Sequence, residues 1–299
     1  MRSDAIHVFT TACGSNQRVM DNAINLIRSV YAGLARTGAG QRRLHMHLLH
    51  DDGKGALAVV RVVRSSIELG LLSRRLFHFS ASVTTAPARW IRRFALCSFA
   101  RLSIAEEFPA LDHAIYLDAD TYVLGDIRDA FDVTFGAFNS SQWAALALET
   151  ELGSRFNYYH SYLRQHPTEA RNVYLPQGLN AGVLMMNLTR QRATGFAQFA
   201  LAYPGRAPMG DQDIVNAYFA RQRHELLILP CRLNRRPDSN CAEPAWVEPG
   251  VIHGNREAFV RGVSPGGFKK EPPFTDPLFL AAGDLYHLDG LHHSRTEAP

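Results

Sequence analysis

The stretch His113-Ala-Ile-Tyr-Leu-Asp118-Ala-Asp120-Thr-Tyr-Val-Leu124 decides the fold. Its short apolar run has the composition of a buried strand, and the run closes on two carboxylates two residues apart. In extended backbone, residues i and i+2 face the same way, so Asp118 and Asp120 share one target. Like charges converging on one spot are costly unless a cation sits between them. A divalent metal carrying a diphosphate meets that demand. Asp is also common in turns and helix caps, so the pair draws its weight from what surrounds it.

Working outward toward the N-terminus, Ile6 to Ala12 is apolar and β-branched, and Met20 to Arg36 puts Ala23, Ile27, Val30 and Leu34 on one helical face. Leu44, Met46 and Leu48 alternate with His45 and His47, a strand whose two histidines read as structural. A helix over Ala56 to Leu72, a strand over Arg75 to Phe79 and a helix over Trp90 to Phe108 then lead to the carboxylate strand. Strands alternating with helices predict an α/β fold with a mostly parallel sheet covered on both faces, Rossmann-like in its first half. Ligands of such sheets bind beyond the carboxyl ends of the strands, where both Thr11 to Asn16 and Asp118 to Asp120 fall. The chain carries neither GxGxxG nor GxxxxGK[ST], which counts against dehydrogenases and P-loop enzymes.

Downstream, Gln177-Gly-Leu-Asn180 opens the apolar strand Ala181 to Leu188, and Gly210-Asp-Gln-Asp213 opens a helix read as amphipathic, with Ile214, Ala217 and Tyr218 on one side. Glu225 to Leu229 and Val251 to His253 read as strands, and the Pro- and Gly-rich tail from Gly262 as loops. At 299 residues, 46% hydrophobic and 20% charged, the chain reads as one globular domain. Its net charge of +4 suits a small anionic substrate, while no dense basic run marks a nucleic-acid surface. No apolar run reaches the roughly eighteen residues of a membrane span. The N-terminus enters its first strand too early for a signal peptide. Cys13, Cys97, Cys231 and Cys241 form no close metal-binding pair. A cytoplasmic protein with reduced thiols is therefore the expectation, with Cys231 and Cys241 able to bridge if the compartment allows.

Four blocks, Leu117-Asp-Ala-Asp120, Asn180-Ala-Gly-Val-Leu-Met-Met-Asn187, Gly210-Asp-Gln-Asp213 with Asn216, and His253-Gly254, occur in the order found in glycosyltransferase family 8. The chain thus resembles these retaining transferases from Ile6 to about Phe259. The segment Leu229-Pro-Cys231, Asn234, Arg236-Pro-Asp238, Asn240-Cys241 and His253-Gly-Asn-Arg256 resembles most the glucoside and xyloside xylosyltransferases, which use UDP-xylose. The resemblance implies a single GT-A type domain over 1–299. Within it, 1–125 would be a nucleotide-binding half, 126–260 a donor-sugar and acceptor half, and 261–299 C-terminal loops. The Arg- and Ala-rich composition without an anchor suits a soluble bacterial relative.

What the resemblance implies about the site is specific. Asp118, Asp120 and His253 would hold Mn²⁺ (or Mg²⁺), a mixed oxygen and imidazole set that fits Mn²⁺ better than Ca²⁺ or structural Zn²⁺. Thr11, Ala12 and Asn16 would line the uridine, Ala119 and Gly254 would belong to the donor-binding set, Arg101 would reach donor sugar and phosphate, and Arg256 would contact the diphosphate, with Lys269 and Lys270 as weaker candidates. Asn180, Asp211 and Gln212 would meet the sugar. The implied reaction is metal-dependent transfer from a UDP-sugar to a glycan, glycoside or protein hydroxyl. UDP-glucose or UDP-galactose is the alternative donor, and a non-catalytic UDP-sugar-binding module is the alternative of another class.

Overall fold

The structure is a computed structural model. It describes residues 5–37, 42–51, 53–84, 96–150, 158–174, 177–205, 207–236, 241 and 250–254. Lys269, Lys270, Arg256 and the expected C-terminal loops lie outside the described residues.

Strand β1 (Ala5–Ala12) is followed by helix α1 (Gln17–Thr37), β2 (Arg43–His50), α2 (Lys54–Glu68) and β3 (Phe77–Val83). Helix α3 (Ala100–Glu107) leads to β4 (His113–Leu117), the short β5 (Thr121–Val123), α4 (Ile127–Ala137) and β6 (Ala144–Leu148). Then come α5 (Tyr158–Gln165), β7 (Leu179–Asn187), α6 (Leu188–Ala193), α7 (Phe196–Ala202), α8 (Asp211–Phe219), β8 (Leu226–Ile228) and β9 (Val251–His253). Seven strands form one sheet in the order β3-β2-β1-β4-β7-β6-β8, in which β7 runs against both its neighbours and every other pairing is parallel. The mostly parallel α/β sheet expected from the sequence is what forms.

Alternation along the strands builds two cores. Ile6, Val8, Leu44, Met46, Leu48, Ile115 and Leu117 pack under α1, α2 and α4, while Phe9, Leu49, Ala114 and Tyr116 face α3, α7 and α8. Burial of both faces explains why the strands read as continuous apolar runs.

Several expectations need correction. The strand expected before the carboxylates is β4, which ends at Leu117; beyond Asp120 the chain forms a further strand not expected from the sequence, β5, which begins at Thr121 and pairs antiparallel with β9 in a separate two-stranded sheet. That pairing matches Thr121 with His253. Strand β3 starts at Phe77 and continues to Val83, because the whole of β2 from Leu44 to His50 is available to pair with it. The helix before the carboxylates begins only at Ala100, behind a 3-10 turn over Leu96–Phe99, and Trp90 to Ala95 lie outside the described residues. Helix α8 is buried along its entire length, including Asp211, Gln212, Asp213 and Asn216, instead of amphipathic.

The cysteines depart furthest from expectation. Cys13 bridges Cys97 and Cys231 bridges Cys241, with Cα atoms 6.1 Å and 5.7 Å apart. Disulfides persist in oxidising compartments, so the reduced thiols on which the cytoplasmic assignment rested are not what the fold presents. Among the described residues, no helix is long and apolar enough to cross a membrane. Alkylation of the unfolded, unreduced protein should modify none of the four cysteines, and reduction should expose all four. Intact mass reads both outcomes, and four alkylations before reduction would contradict the pairing.

Candidate functional site

The sheet brings its functional groups to one rim by a topological device. The carboxyl ends of β1, β4 and β6 lie there, and so does the amino end of the antiparallel β7, which carries Asn180. Between the pairs Ala145–Met185 and Ala147–Asn180 the register shifts, so residues 181–184 bulge opposite Leu146. On its other edge β7 keeps regular register with β4, and the next rung beyond Leu117–Val183 is the Asp118 amide donating to the Gly182 carbonyl at 2.8 Å.

Asp118 and Asp120 meet His253 across this rim. His253 Nε2 lies 3.8 Å from Asp118 Oδ2 and 3.3 Å from Asp120 Oδ1. One ligand atom from each of the three residues falls within 4.8 Å of the others. The Asp118 and Asp120 side chains remain 25% and 32% exposed, against 5% for His253, so the carboxylates open to solvent where a diphosphate could arrive. The histidine is held from behind. Its Nδ1 lies 2.9 Å from Asn234 Oδ1, and Asn234 Nδ2 donates to Asn180 Oδ1 at 2.7 Å, which fixes the amide's orientation. His253 Nδ1 therefore carries the proton donated to Asn234, and Nε2 is aimed at the carboxylates. The Gly254 amide donates to Asp120 O at 2.7 Å and locks the same corner.

Burial opposes charge on both sides of this contact, but the partners win. The Asp120 and Asp118 carboxylates raise the His253 pKa above the ordinary imidazole range, and His253 lowers that of Asp120 below the ordinary carboxylate range. Four carboxylates (Asp118, Asp120, Glu149 and Asp211) share the region with the guanidiniums of Arg101 and Arg236. Acids outnumber the guanidiniums there, and the His253 imidazole, its pKa raised by the aspartates, stands where a divalent cation would offset the same charge. The donor set therefore fits a hard oxygen- and imidazole-tolerant ion.

Arg101 is buried, not on a helix surface. Its Nη2 lies 2.6 Å from Asp118 Oδ1, its Nε lies 2.6 Å from Asp211 Oδ2, and its guanidinium stacks 4.3 Å from the Tyr116 ring centroid. It also donates to the Ala181 carbonyl. Burial, opposed by Arg101 and reinforced by Asp118, pushes the Asp211 carboxyl up to about 7. Gly210, at φ 70, precedes α8 and sets Asp211 in its first turn, where the helix dipole favours an acid.

The remaining expected residues are distributed less evenly. Thr11 Oγ1 lies 3.0 Å from Tyr116 OH, which donates to Asp118 Oδ1 at 3.1 Å, so the end of β1 is wired to the carboxylates. Ala12 is buried in the core, and Ala119 packs against it. Asn16 is exposed and spends its side chain accepting from the Arg18 amide at the start of α1, away from the carboxylates' hydrogen-bond network. Asn180 and Gln212 are buried and engaged internally: Asn180 Nδ2 and Gln212 Nε2 both donate to Glu149 Oε2, at 2.7 and 3.2 Å, and Gln212 Oε1 accepts from the Ala181 amide.

Glu149 is a residue the sequence reading missed. It follows the apolar strand β6 as Asp118 follows β4, so the same strand-end rule could have found it. Arg236, also buried, donates to the Leu148 and Glu149 carbonyls and fixes that strand end. A continuous polar chain results, from Gln212 through Glu149, Asn180, Asn234 and His253 to the two aspartates.

Gly182 makes this packing possible, because a Cβ there would stand 2.1 Å from the His253 ring. Gly182→Ala should displace that ring and lower the unfolding free energy by about 1–3 kcal/mol through overpacking. Denaturant unfolding checks this, and an unchanged midpoint would mean the ring is not confined as described.

The model of glycosyl transferase family 8 matches residues 66–230. Mouse glucoside xylosyltransferase 1 is 27% identical over 285 residues, covering 86% of this chain and 64% of that protein. Mouse glucoside xylosyltransferase 2 is 31% identical over 231 residues, covering 69% and 50%. Glucoside xylosyltransferase 2 of Xenopus laevis is 30% identical over 288 residues, covering 87% and 62%. The chain thus spans 50–64% of the length of the two mouse relatives. These relatives are animal proteins and lend no support to a bacterial source. Among solved structures, the apo form of mouse xyloside xylosyltransferase 1 superposes with a TM-score of 0.60 at 15% identity, covering 85% of this chain and 98% of that one. Galactosyltransferase LgtC in complex with donor and acceptor sugar analogues also gives 0.60, at 17% identity, covering 94% and 96%. These likenesses identify the GT-A fold. With the family model spanning more than half of the sequence, this chain belongs to glycosyltransferase family 8.

Proposed function

We propose that this chain transfers a sugar, xylose first among the candidates, from a UDP-sugar to a hydroxyl of a glycan, glycoside or protein, with retention of anomeric configuration. One observation carries the reading: Asp118, Asp120 and His253 converge with their ligand atoms within 4.8 Å at the rim where a parallel sheet receives its ligand. Xylose is favoured because the curated relatives are glucoside xylosyltransferases.

In this reading Asp118, Asp120 and His253 hold Mn²⁺ or Mg²⁺. The cation, when bound, neutralises the departing diphosphate as a Lewis acid. The protein's own groups do the rest. Arg101 keeps Asp118 and Asp211 at fixed separation, one carboxylate toward the phosphates and the other toward the sugar. Asp211, buried beside Arg101, accepts hydrogen bonds from sugar hydroxyls, and an analogue lacking the hydroxyl would leave it unpaired. Asn180 is a positioning residue: its amide joins the holder of His253 to Glu149, and Glu149 orients Gln212. A carboxamide is a weak nucleophile, and Arg101 occupies the Asp211 carboxylate. Same-face attack through an oxocarbenium-like state therefore suits this site better than a covalent intermediate, with the leaving phosphate accepting the acceptor's proton. The galactosyltransferase fold match at equal TM-score makes UDP-galactose the second donor to test.

A panel of UDP-sugars, assayed for UDP release with and without Mn²⁺, tests the assignment. UDP-xylose should give the fastest metal-dependent release, and Asp120→Asn should reduce it by at least about 100-fold. Full activity of Asp120→Asn, or release indifferent to chelation, would overturn the reading. Asn234→Ala should weaken Mn²⁺ by about 10–100-fold, the usual cost of losing a group that orients a metal-bound histidine. Calorimetric titration of the ion reads this directly, and undiminished affinity would remove Asn234 from the site.

A further inference from the structure

Four of the chain's 13 histidines stand together on the same face of the sheet, on strands β1 to β3, and none is among the residues assigned to the donor site. The parallel register pairs His7 of β1 with His45 of β2, and His45 with His78 of β3. His47, two residues beyond His45, projects from the same face. The side chains touch: His7 Nδ1 lies 2.9 Å from His47 Nε2, and His78 Nδ1 lies 2.8 Å from His45 Nε2. Ser80 Oγ sits between the pairs, 3.1 Å from His45 Nε2 and 2.9 Å from His47 Nδ1. His7 and His47 are buried, His45 is half-buried and His78 is exposed, so the cluster opens toward β3. The sequence pattern had suggested isolated strand histidines; the register makes them neighbours.

We propose that His7, His45 and His47 form a second metal site, one that takes an imidazole-preferring divalent cation of the Zn²⁺, Co²⁺ or Cu²⁺ type. One nitrogen from each residue lies within 4.8 Å of the others. A cation about 2.0–2.1 Å from each nitrogen needs them about 3.3 Å apart, so the His7–His47 contact opens, its proton moves to the donor ring's other nitrogen, and the stacked His45 and His47 rings turn until their in-plane lone pairs converge. Ser80 and His78 already touch the ligand rings and orient them, as the outer partners of metal-bound histidines do. Burial and the neighbouring rings hold His45 and His47 below the ordinary imidazole range, and a neutral imidazole keeps one N–H and offers one lone pair. The site and the donor site select different ions. Three imidazoles without a carboxylate discriminate against Mn²⁺ and Mg²⁺, which the aspartate pair prefers.

The test titrates Co²⁺ into the chelator-treated, untagged full chain carrying Asp118→Asn and Asp120→Asn together, which removes the competing cation site. One equivalent should bind with an intense visible d–d band, and Zn²⁺ should displace it while Mn²⁺ does not. His45→Gln added to this background should weaken Co²⁺ at least tenfold. His7→Gln, on a different strand, serves as the second variant, and a melting curve verifies that each is folded. Absence of a bound equivalent in the aspartate double variant overturns the proposal whatever the histidine variants do. So does undiminished binding in a folded His45→Gln or His7→Gln protein.

Discussion

Anionic excess at the rim of the sheet is the constraint around which the rest of the site is arranged. Parallel strands end with their carboxyl termini on one edge, and this chain closes β4 and β6 with acids and aims a third from the first turn of α8. Two buried guanidiniums offset part of that charge. Arg101 is wedged between Asp118 and Asp211, and Arg236 grips the backbone at Glu149 without reaching the solvent-facing pair. The pair that faces solvent is Asp118 and Asp120: Asp118 shares Arg101 with Asp211, and Asp120 faces the His253 imidazole. Removing water from such a cluster without a counter-ion would cost several kcal/mol per charge, which is why it stays partly exposed.

How His253 reaches the aspartates says much about the fold. His253 lies 133 residues beyond Asp120 in the sequence, yet it is brought there by only three residues of strand pairing, Val251–His253 against Thr121–Val123. The Asp120 carbonyl and the Gly254 amide close the corner, and Gly182 vacates the space the ring fills. A backbone device thus sets a side-chain geometry. Positions that look merely small or apolar, Gly182 above all, are as constrained as the charged ones.

Much of this was legible in the sequence where periodicity and strand-end chemistry speak locally. The apolar runs of β1, β4 and β7, the helix over 20–36 and the acidic couplet were readable because each obeys a period or a spacing within a dozen residues. Four things were not. Strand β5 was hidden because Thr121-Tyr-Val123 is too short to show a period of its own, and pairing with β9 makes it a strand. The disulfide between Cys13 and Cys97 was hidden because 84 residues separate them. The polar chain through Glu149, Asn234 and Asn180 was hidden because its members come from three elements and meet only after the register of β7 has slipped. The histidine cluster failed for the same reason: His7, His45 and His78 become one row through strand register alone.

The most direct measurement is diffraction at the manganese absorption edge from crystals soaked in Mn²⁺ and UDP. The account predicts an anomalous peak bounded by Asp118, Asp120 and His253, with diphosphate oxygens on its open side. A peak elsewhere, or none among those three side chains while UDP is bound, would contradict it.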